Sequence, residues 1–294
     1  MRSPFRYPGG KSKRAAREAI LSHFPKKIGE YREPFVGGGG IYFGLDQMFE
    51  RAWINDMHAP LIRCYREMQA DPEGFARACR EIKIHPDATT RGCRGERIFR
   101  SFCDEGYEVS GLGFLFLNRT IWAGRVIVGP GRKESRLYYS NPGGWLSVCN
   151  RKGMDSLEGT GQYLHGTRIT CGDYAPLLRE GGTDVWVYLD PPYVRDTELT
   201  GGDKQYEHGF TMEDHNRLWL ELANSPHQLV VSYDDHEYVR AKAREHGFKI
   251  HAAQWTYSGT GTYRAEADGE QYDPTEGNAD RKKKIGRELI LVRA

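Results

Sequence analysis

Along most of the chain, apolar residues either recur at helical spacing or bunch into short continuous runs, and the two patterns alternate. KRAAREAILSHF (13–24) sets Ala16, Ala19, Ile20 and Phe24 on one face and predicts a helix. YREPFVGGGG (31–40) predicts a short strand running into a glycine turn, and RAWIN (51–55) a second strand ending at Asp56. APLIRCYREMQ (59–69) and PEGFARACREI (72–82) predict amphipathic helices. Leu61, Ile62, Tyr65 and Met68 line the first, and Phe75, Ala78, Cys79 and Ile82 the second. Between 85 and 168 the periodicity weakens, and arginine, glycine and aromatic residues mix. Within that stretch GFLFLNRTIW (113–122) predicts a helix, and RVIVGPGRKESRLYYS (125–140) a hairpin turning at GPG. Regular alternation then returns. RITC (168–171), VWVYL (185–189), QLVVSY (228–233), FKIHAAQWTY (248–257) and RELILV (287–292) read as strands. EDHNRLWLELANS (213–225) and DHEYVRAKAREH (235–246) read as helices. The polar stretch 258–286, rich in Gly, Asp and Glu, is expected to be a mobile loop.

VWVYL is apolar at every position, as a strand covered on both faces must be. With the strand–helix order, this predicts a doubly wound α/β sheet carrying an insert before residue 168. Ligands of such sheets sit beyond the carboxyl ends of the strands. The glycine turn at Gly37 and the acids Asp56, Asp173 and Asp190 all follow predicted strands, so all four converge on one rim.

Composition narrows the picture. The chain has 294 residues and an apolar fraction of 38%, enough for a substantial core. Net charge is only +2, but residues 1–32 carry nine lysines and arginines against Glu18 and Glu30. A second basic run, RKKK, lies at 281–284. Such clusters suit either phosphate contacts or a solvated surface. The six cysteines, at 64, 79, 93, 103, 149 and 171, show no CxxC pair, so no metal site is expected and reduced thiols are. No secretory segment or long apolar run is evident, and a cytoplasmic protein that does not enter a membrane is expected.

The rim residues suggest chemistry one by one. FVGGGG (35–40) lets backbone approach a ligand closely, or is simply a tight turn. It is not a phosphate loop of the GKS/GKT kind, and it fits the dinucleotide pattern poorly. Asp56 suits the hydroxyls of a ribose or a helix cap. Asp173 suits an adenine amino group or a cap, and Tyr174 beside it could pack on a ring. Asp190, Pro191, Pro192 and Tyr193 are more specific. The two prolines remove two backbone donors and leave the Pro191 carbonyl free. A flat group carrying an NH2 can stack on Tyr193 and donate one hydrogen to Asp190 and the other to that carbonyl. Accepting both hydrogens keeps electron density on the nitrogen and readies its lone pair for attack.

These motifs, in this order, resemble the Dam-like, D12 class of DNA adenine N6-methyltransferases. The resemblance rests on FRYPGGK (5–11), EPFVGGGGIYF (33–43), INDMHAPLIRCY (54–65), FLFLNRTIWAG (114–124), GDY (172–174), DPPY (190–193), FTMEDHNRL (210–218) and the final RELILV. It implies a seven-stranded, mostly parallel methyltransferase sheet. Residues 1–58 and 166–294 would form the catalytic domain. Residues 59–165 would form a target-recognition module with a DNA-contacting hairpin near 125–140. The methyl donor would be S-adenosyl-L-methionine and the partner double-stranded DNA. Tyr7, Lys11, Phe35, Gly37, Gly39, Asp56, Asp173, Tyr174 and Asp190 would line the donor site. Asp190, Pro191, Pro192 and Tyr193 would receive the target base. Asn118, Arg119, Arg125, Arg132, Lys133 and Arg136 are candidate DNA contacts, with Asn118 and Arg119 alternatively pinning the hairpin to the core. Ala123 stands where the family commonly has Asn, and the tip GPGRKES (129–135) is the chain's own, so the target sequence stays open.

The expected reaction is direct methyl transfer to adenine N6, with no metal and no covalent enzyme intermediate, on a base rotated out of the duplex. The alternatives are a cytosine N4-methyltransferase, a non-catalytic DNA-binding protein on the same scaffold, and a nicotinamide dehydrogenase. The intact DPPY set weighs against the last two. A monomer is expected, with a dimer on DNA left open, and a partner restriction enzyme is neither implied nor excluded.

Overall fold

The computed structural model describes residues 3–6, 11, 14–46, 48–85, 92–121, 124, 126, 137–194, 210–256 and 285–293. Its strands are β1 (Ile28–Glu33), β2 (Phe49–Asp56), β3 (Arg168–Cys171), β4 (Val185–Leu189), β5 (Gln228–Asp234), β6 (Lys249–Thr256) and β7 (Ile285–Arg293). They form one seven-stranded sheet in the order β3-β2-β1-β4-β5-β7-β6. The pairs from β3 through to β5 are parallel; β7 runs antiparallel between β5 and β6. The mostly parallel, doubly wound sheet expected from the sequence is the sheet observed. From β1 the chain passes to β2 on one side, and from β4 to β5 on the other. The strand order therefore reverses between β1 and β4, and a crevice opens beyond their carboxyl ends.

Ten helices lie among the described residues. α1 (Arg14–Leu21), α2 (Ala59–Ala70) and α3 (Pro72–Glu81) match the apolar periodicity. α4 (Arg94–Asp104), α5 (Gly111–Thr120), α6 (Pro142–Cys149) and α7 (Arg151–Tyr163) follow before β3, and α8 (Ala175–Arg179) after it. α9 (Met212–Asn224) and α10 (Glu237–Glu245) precede β5 and β6. The sequence pattern did not mark α4, α6, α7 or α8. α6 and α7 contain PGG and three glycines, which depress helix propensity. They are rescued by caps and packing: Asn141 accepts the Gly144 N–H, and Asn150 the Gly153 N–H. Gly161 is a contact point, because a side chain there would collide with the Met68 carbonyl and Pro72, blocking α7 from α2 and α3.

α2 packs on β2 and β3 and also on α5 and α7. The division expected at residue 58 thus falls at the start of a helix shared by sheet and module, over one apolar core that runs from Phe5 to Ile290. Most of the expected hairpin at 125–140 lies outside the described residues; Leu137–Ser140 are described and form no strand. The expected loop at 258–286 also falls outside, except for the start of β7.

Among the polar side chains buried in the sheet layer, one is a guanidinium. Arg32 on β1 bonds Glu30 at 2.5 Å and the carbonyls of Leu177, Glu180 and Gly181 at 3.0, 2.5 and 2.9 Å. It ties the end of α8 to the middle of the sheet. Arg32→Ala orphans these acceptors and is expected to lower unfolding free energy by about 3–5 kcal/mol in urea titrations; a loss under about 1 kcal/mol would show that water replaces it.

Candidate active site at the sheet switch point

The glycine turn is cinched to β2. Beyond β1 the Val36 N–H donates to Asn55 O at 2.9 Å, and the Gly39 N–H to Val36 O at 2.7 Å. Gly37 and Gly39 take φ of 45° and 68°, the left-handed region that costs glycine nothing. A Cβ at Gly39 would also strike Phe43 and Tyr65. Asp56, at the end of β2, accepts the Gly37 N–H on Oδ2 at 2.8 Å and the His58 N–H on Oδ1 at 3.0 Å. Tyr65 of α2 donates to the Gly37 carbonyl at 2.9 Å. The N-cap of α2 is His58, so Asp56 braces the turn rather than capping that helix. Burial pushes its carboxyl up, against the pull of the His58 and Gly37 N–H groups. A carboxylate has about four lone-pair sites. The Gly37, His58 and Met57 N–H groups draw on part of that capacity, and the remainder suits ligand hydroxyls.

Asp173 follows β3 and opens α8. Its Oδ1 accepts the Ala175 N–H at 2.8 Å from one residue before the Tyr174 N-cap, so it braces the first turn of α8. Arg217 of α9 also grips it with both terminal nitrogens, at 2.8 and 2.9 Å. Partial burial raises the Asp173 carboxyl, but Arg217 and the Ala175 N–H outweigh it and hold the group below its ordinary value. Beside it, Phe35 lies 5.3 Å from Tyr174 and 6.3 Å from Phe210, and Tyr174 lies 6.4 Å from Phe210. Three rings and an acceptor thus adjoin the glycine turn, the wall an adenine ring needs.

Asp190 leaves β4 on the other side of the crevice, with its side chain 27% exposed. Lys11 reaches it from the N-terminal segment, Nζ to Oδ1 at 2.9 Å. The Ser232 hydroxyl of β5 donates to the same Oδ1 at 2.9 Å, and Tyr188 shares a 2.8 Å bond with that hydroxyl. Among the described residues both donors converge on Oδ1, which leaves the lone pairs of Oδ2 as acceptors. Lys11 also bonds the Tyr193 hydroxyl and lies 3.1 Å from Glu288 of β7, whose side chain is 0% exposed. Burial alone would push the Lys11 ammonium down; Asp190 and Glu288 together more than reverse that and keep it charged. Tyr193 leans on Tyr233 at 6.2 Å, and His215 of α9 bonds Tyr233 at 2.5 Å. Burial lowers His215 to about 4, so this brace is neutral at pH 7. Beneath the crevice, burial pushes the Glu33 carboxyl well above its usual range, and Tyr31 donates to it at 2.7 Å. Glu33 senses the charges of both Asp190 and Asp56, so it lies electrically between the two halves of the site.

The model of the D12 class N6 adenine-specific DNA methyltransferases matches residues 7–97, a span that holds Lys11, the glycine turn and Asp56. Over that span the chain is assigned to this class. The chain is 26% identical over 223 residues to the Type II methyltransferase M1.LlaDCHI of Lactococcus lactis subsp. cremoris, covering 73% of this chain and 74% of that protein. It is 26% identical over 234 residues to the Type II methyltransferase M.MjaIII of Methanocaldococcus jannaschii, covering 73% and 77%. It is 23% identical over 256 residues to a DNA adenine methylase of Vibrio cholerae serotype O1, covering 85% and 88%.

Two of the candidate DNA contacts face inward. Asn118 is fully buried on α5. Its Oδ1 accepts the Arg6 N–H at 2.9 Å, and its Nδ2 donates to Arg6 O at 2.7 Å and Gly124 O at 2.9 Å. Arg119 donates to Pro4 O at 3.2 Å, Gly144 O at 3.3 Å and Ser147 Oγ at 2.9 Å, and burial lowers it to about 10. Both side chains pin the N-terminal segment that carries Lys11, because their polar groups are taken up by internal partners. Tyr7, Arg125, Arg132, Lys133 and Arg136 lie outside the described residues. Sequence reasoning missed Tyr188, Ser232, Glu288, Arg217 and Tyr65. A serine inside QLVVSY and a glutamate inside RELILV were the available signals, since polar residues in buried strands need partners.

The Lys11 triad yields a test. Lys11→Met removes the lysine from the buried Glu288 carboxylate and is expected to cost about 2–4 kcal/mol at pH 7. Adding Glu288→Gln should recover about 1–3 kcal/mol, read as non-additivity in a urea-unfolding cycle. In the unaltered chain the lysine's contribution is lost as pH rises through the raised Lys11 pKa. Strict additivity would contradict the triad.

Proposed function

We propose that the chain transfers a methyl group from S-adenosyl-L-methionine to N6 of an adenine rotated out of double-stranded DNA. The observation that carries this reading is the Asp190 carboxylate, clamped on Oδ1 by Lys11 and Ser232 and, among the described residues, with no hydrogen bond on Oδ2, followed by Pro191, Pro192 and Tyr193. An ionised carboxylate only accepts hydrogen bonds, so Oδ2 suits an N–H and rejects a ring carbonyl. Tyr193, steadied by Tyr233 and His215, offers the stacking face. The Pro191 carbonyl is the second acceptor. With both amine hydrogens engaged, the N6 lone pair turns away from the ring's π-system, and N6 loses one proton after the new N–C bond forms.

The opposite wall fits the donor by its chemistry. Asp56 would take the ribose hydroxyls. Phe35, Gly37 and Gly39 would surround the sugar and methionine portions, and Asp173 and Tyr174 would hold the adenine. The bound donor supplies an activated methyl group on a sulfonium, which leaves as a neutral thioether. The chain must align the two ligands in line, with the reacting atoms about 3 Å apart. The β1–β4 pairing, from Glu30 with Val185 to Arg32 with Val187, holds the two walls together.

In this reading residues 59–165 form the target-recognition module. Arg125, Arg132, Lys133 and Arg136 meet phosphates and guanine edges of the DNA. Asn118 and Arg119 couple that module to Lys11 through residues 3–6. Engagement of DNA then bears on the catalytic carboxylate through a short path.

Asp190→Asn keeps the shape but puts an amide in place of the anion and weakens Lys11 binding. Transfer of radiolabelled methyl groups to plasmid DNA is expected to fall about a thousandfold or more. DNA affinity by fluorescence anisotropy should stay within about threefold. Turnover within about tenfold of the unaltered chain would reject the assigned role.

A further inference from the structure

We infer that Arg217, on the outer face of α9, is a positioning residue that makes the donor site selective for a 6-amino purine. This rests on the proposed donor site at Phe35, Asp56 and Asp173. Among the described residues, Asp173 Oδ1 takes the Ala175 N–H and one Arg217 nitrogen, and Oδ2 takes the other Arg217 nitrogen. Of about four lone-pair sites on a carboxylate, three are thereby filled and one on Oδ2 is left. The two-pronged grip also fixes the carboxylate plane, which a single ammonium cannot do. A carboxylate with one free acceptor site in a fixed direction selects one N–H donor. It suits the exocyclic amine of adenine and repels the carbonyl of a 6-oxo purine.

The guanidinium also lies 5.0 Å from the Tyr174 ring centre, so it covers one edge of the aromatic wall. Phe35 and Phe210 close the other sides. One turn further along α9, Glu221 takes Arg179 of α8 in a second two-pronged pair. The two pairs have opposite polarity and both join α9 to the β3–α8 corner. Of the two pairs, only Arg217 hydrogen-bonds Asp173, and Arg179 reaches it through charge alone, which gives an internal control: Glu221→Gln weakens the docking of α9 and leaves the hydrogen bonds of Asp173 in place.

Calorimetry with S-adenosylmethionine, S-adenosylhomocysteine and its inosine counterpart tests this, alongside steady-state kinetics on plasmid DNA. Arg217→Ala should weaken binding of the adenine ligands at least about fivefold and raise the donor KM to match, with kcat within about twofold. Its preference for the adenine over the inosine ligand should shrink by a similar factor. Arg217→Lys should recover only part of both. Glu221→Gln should leave donor binding and preference as they are. Equal or tighter donor binding by Arg217→Ala, or the same loss in Glu221→Gln, would overturn the inference and reduce the pair to a helix contact. If the unaltered chain itself binds none of the three ligands, the donor site fails and this inference falls with it.

Discussion

The Lys11–Asp190 ion pair is the interaction on which the site depends. A carboxylate at the end of a buried strand is costly unless it is compensated. Lys11 and the Ser232 hydroxyl compensate it from one side only, at 2.9 Å each on the same oxygen. The asymmetry is what leaves a charged acceptor facing the crevice. Glu288 then holds the lysine, so that the ammonium is shared between two carboxylates rather than delivered wholly to one. The group that prepares the site is thus itself an amine lodged against the proposed acceptor of an amine.

The rest of the architecture serves to bring that pair opposite a second set of acids. Parallel pairing of β1 with β2 and β4 puts the ends of three strands on one edge, and β3 adds a fourth. Asp56 stiffens the glycine turn by accepting its N–H, Asp173 starts a helix, and Asp190 begins the proline turn. Each acid therefore does local structural work with part of its acceptor capacity and keeps a remainder for a ligand. The helical layer joins this arrangement through the Asn118 amide, which grips the backbone of Arg6 in both directions, and so fixes the segment that ends at Lys11. The site is assembled from β4, β5, β7 and the N-terminal segment, four parts distant in sequence.

Much of this was legible in the chain. The sheet strands were visible because apolar runs such as VWVYL cannot be anything but buried, and the rim acids because each follows such a run. α6 and α7 were hidden, since their glycines serve close packing against α2 and α3, a tertiary fact with no periodic trace. Asn118 and Arg119 looked like ligands for DNA because a polar pair ends an apolar helix. Only the fold shows that their partners are the carbonyls and amide of the N-terminal segment. Ser232, Glu288 and Arg217 could be noticed as polar residues in buried or amphipathic elements, but their partners lie 42, 277 and 44 positions away. No local rule connects them.

The most direct measurement is mass analysis of the nucleosides from duplex DNA incubated with the protein and a methyl-labelled sulfonium donor. An acceptor built for an exocyclic amine, in a chain whose residues 7–97 match the D12 class, predicts label in N6-methyladenine. Label in 5-methylcytosine would mean attack by a ring carbon, for which Asp190 and Pro191 provide nothing, and label in N4-methylcytosine would misplace the base. Either result, or unlabelled DNA with the donor bound, would contradict the account.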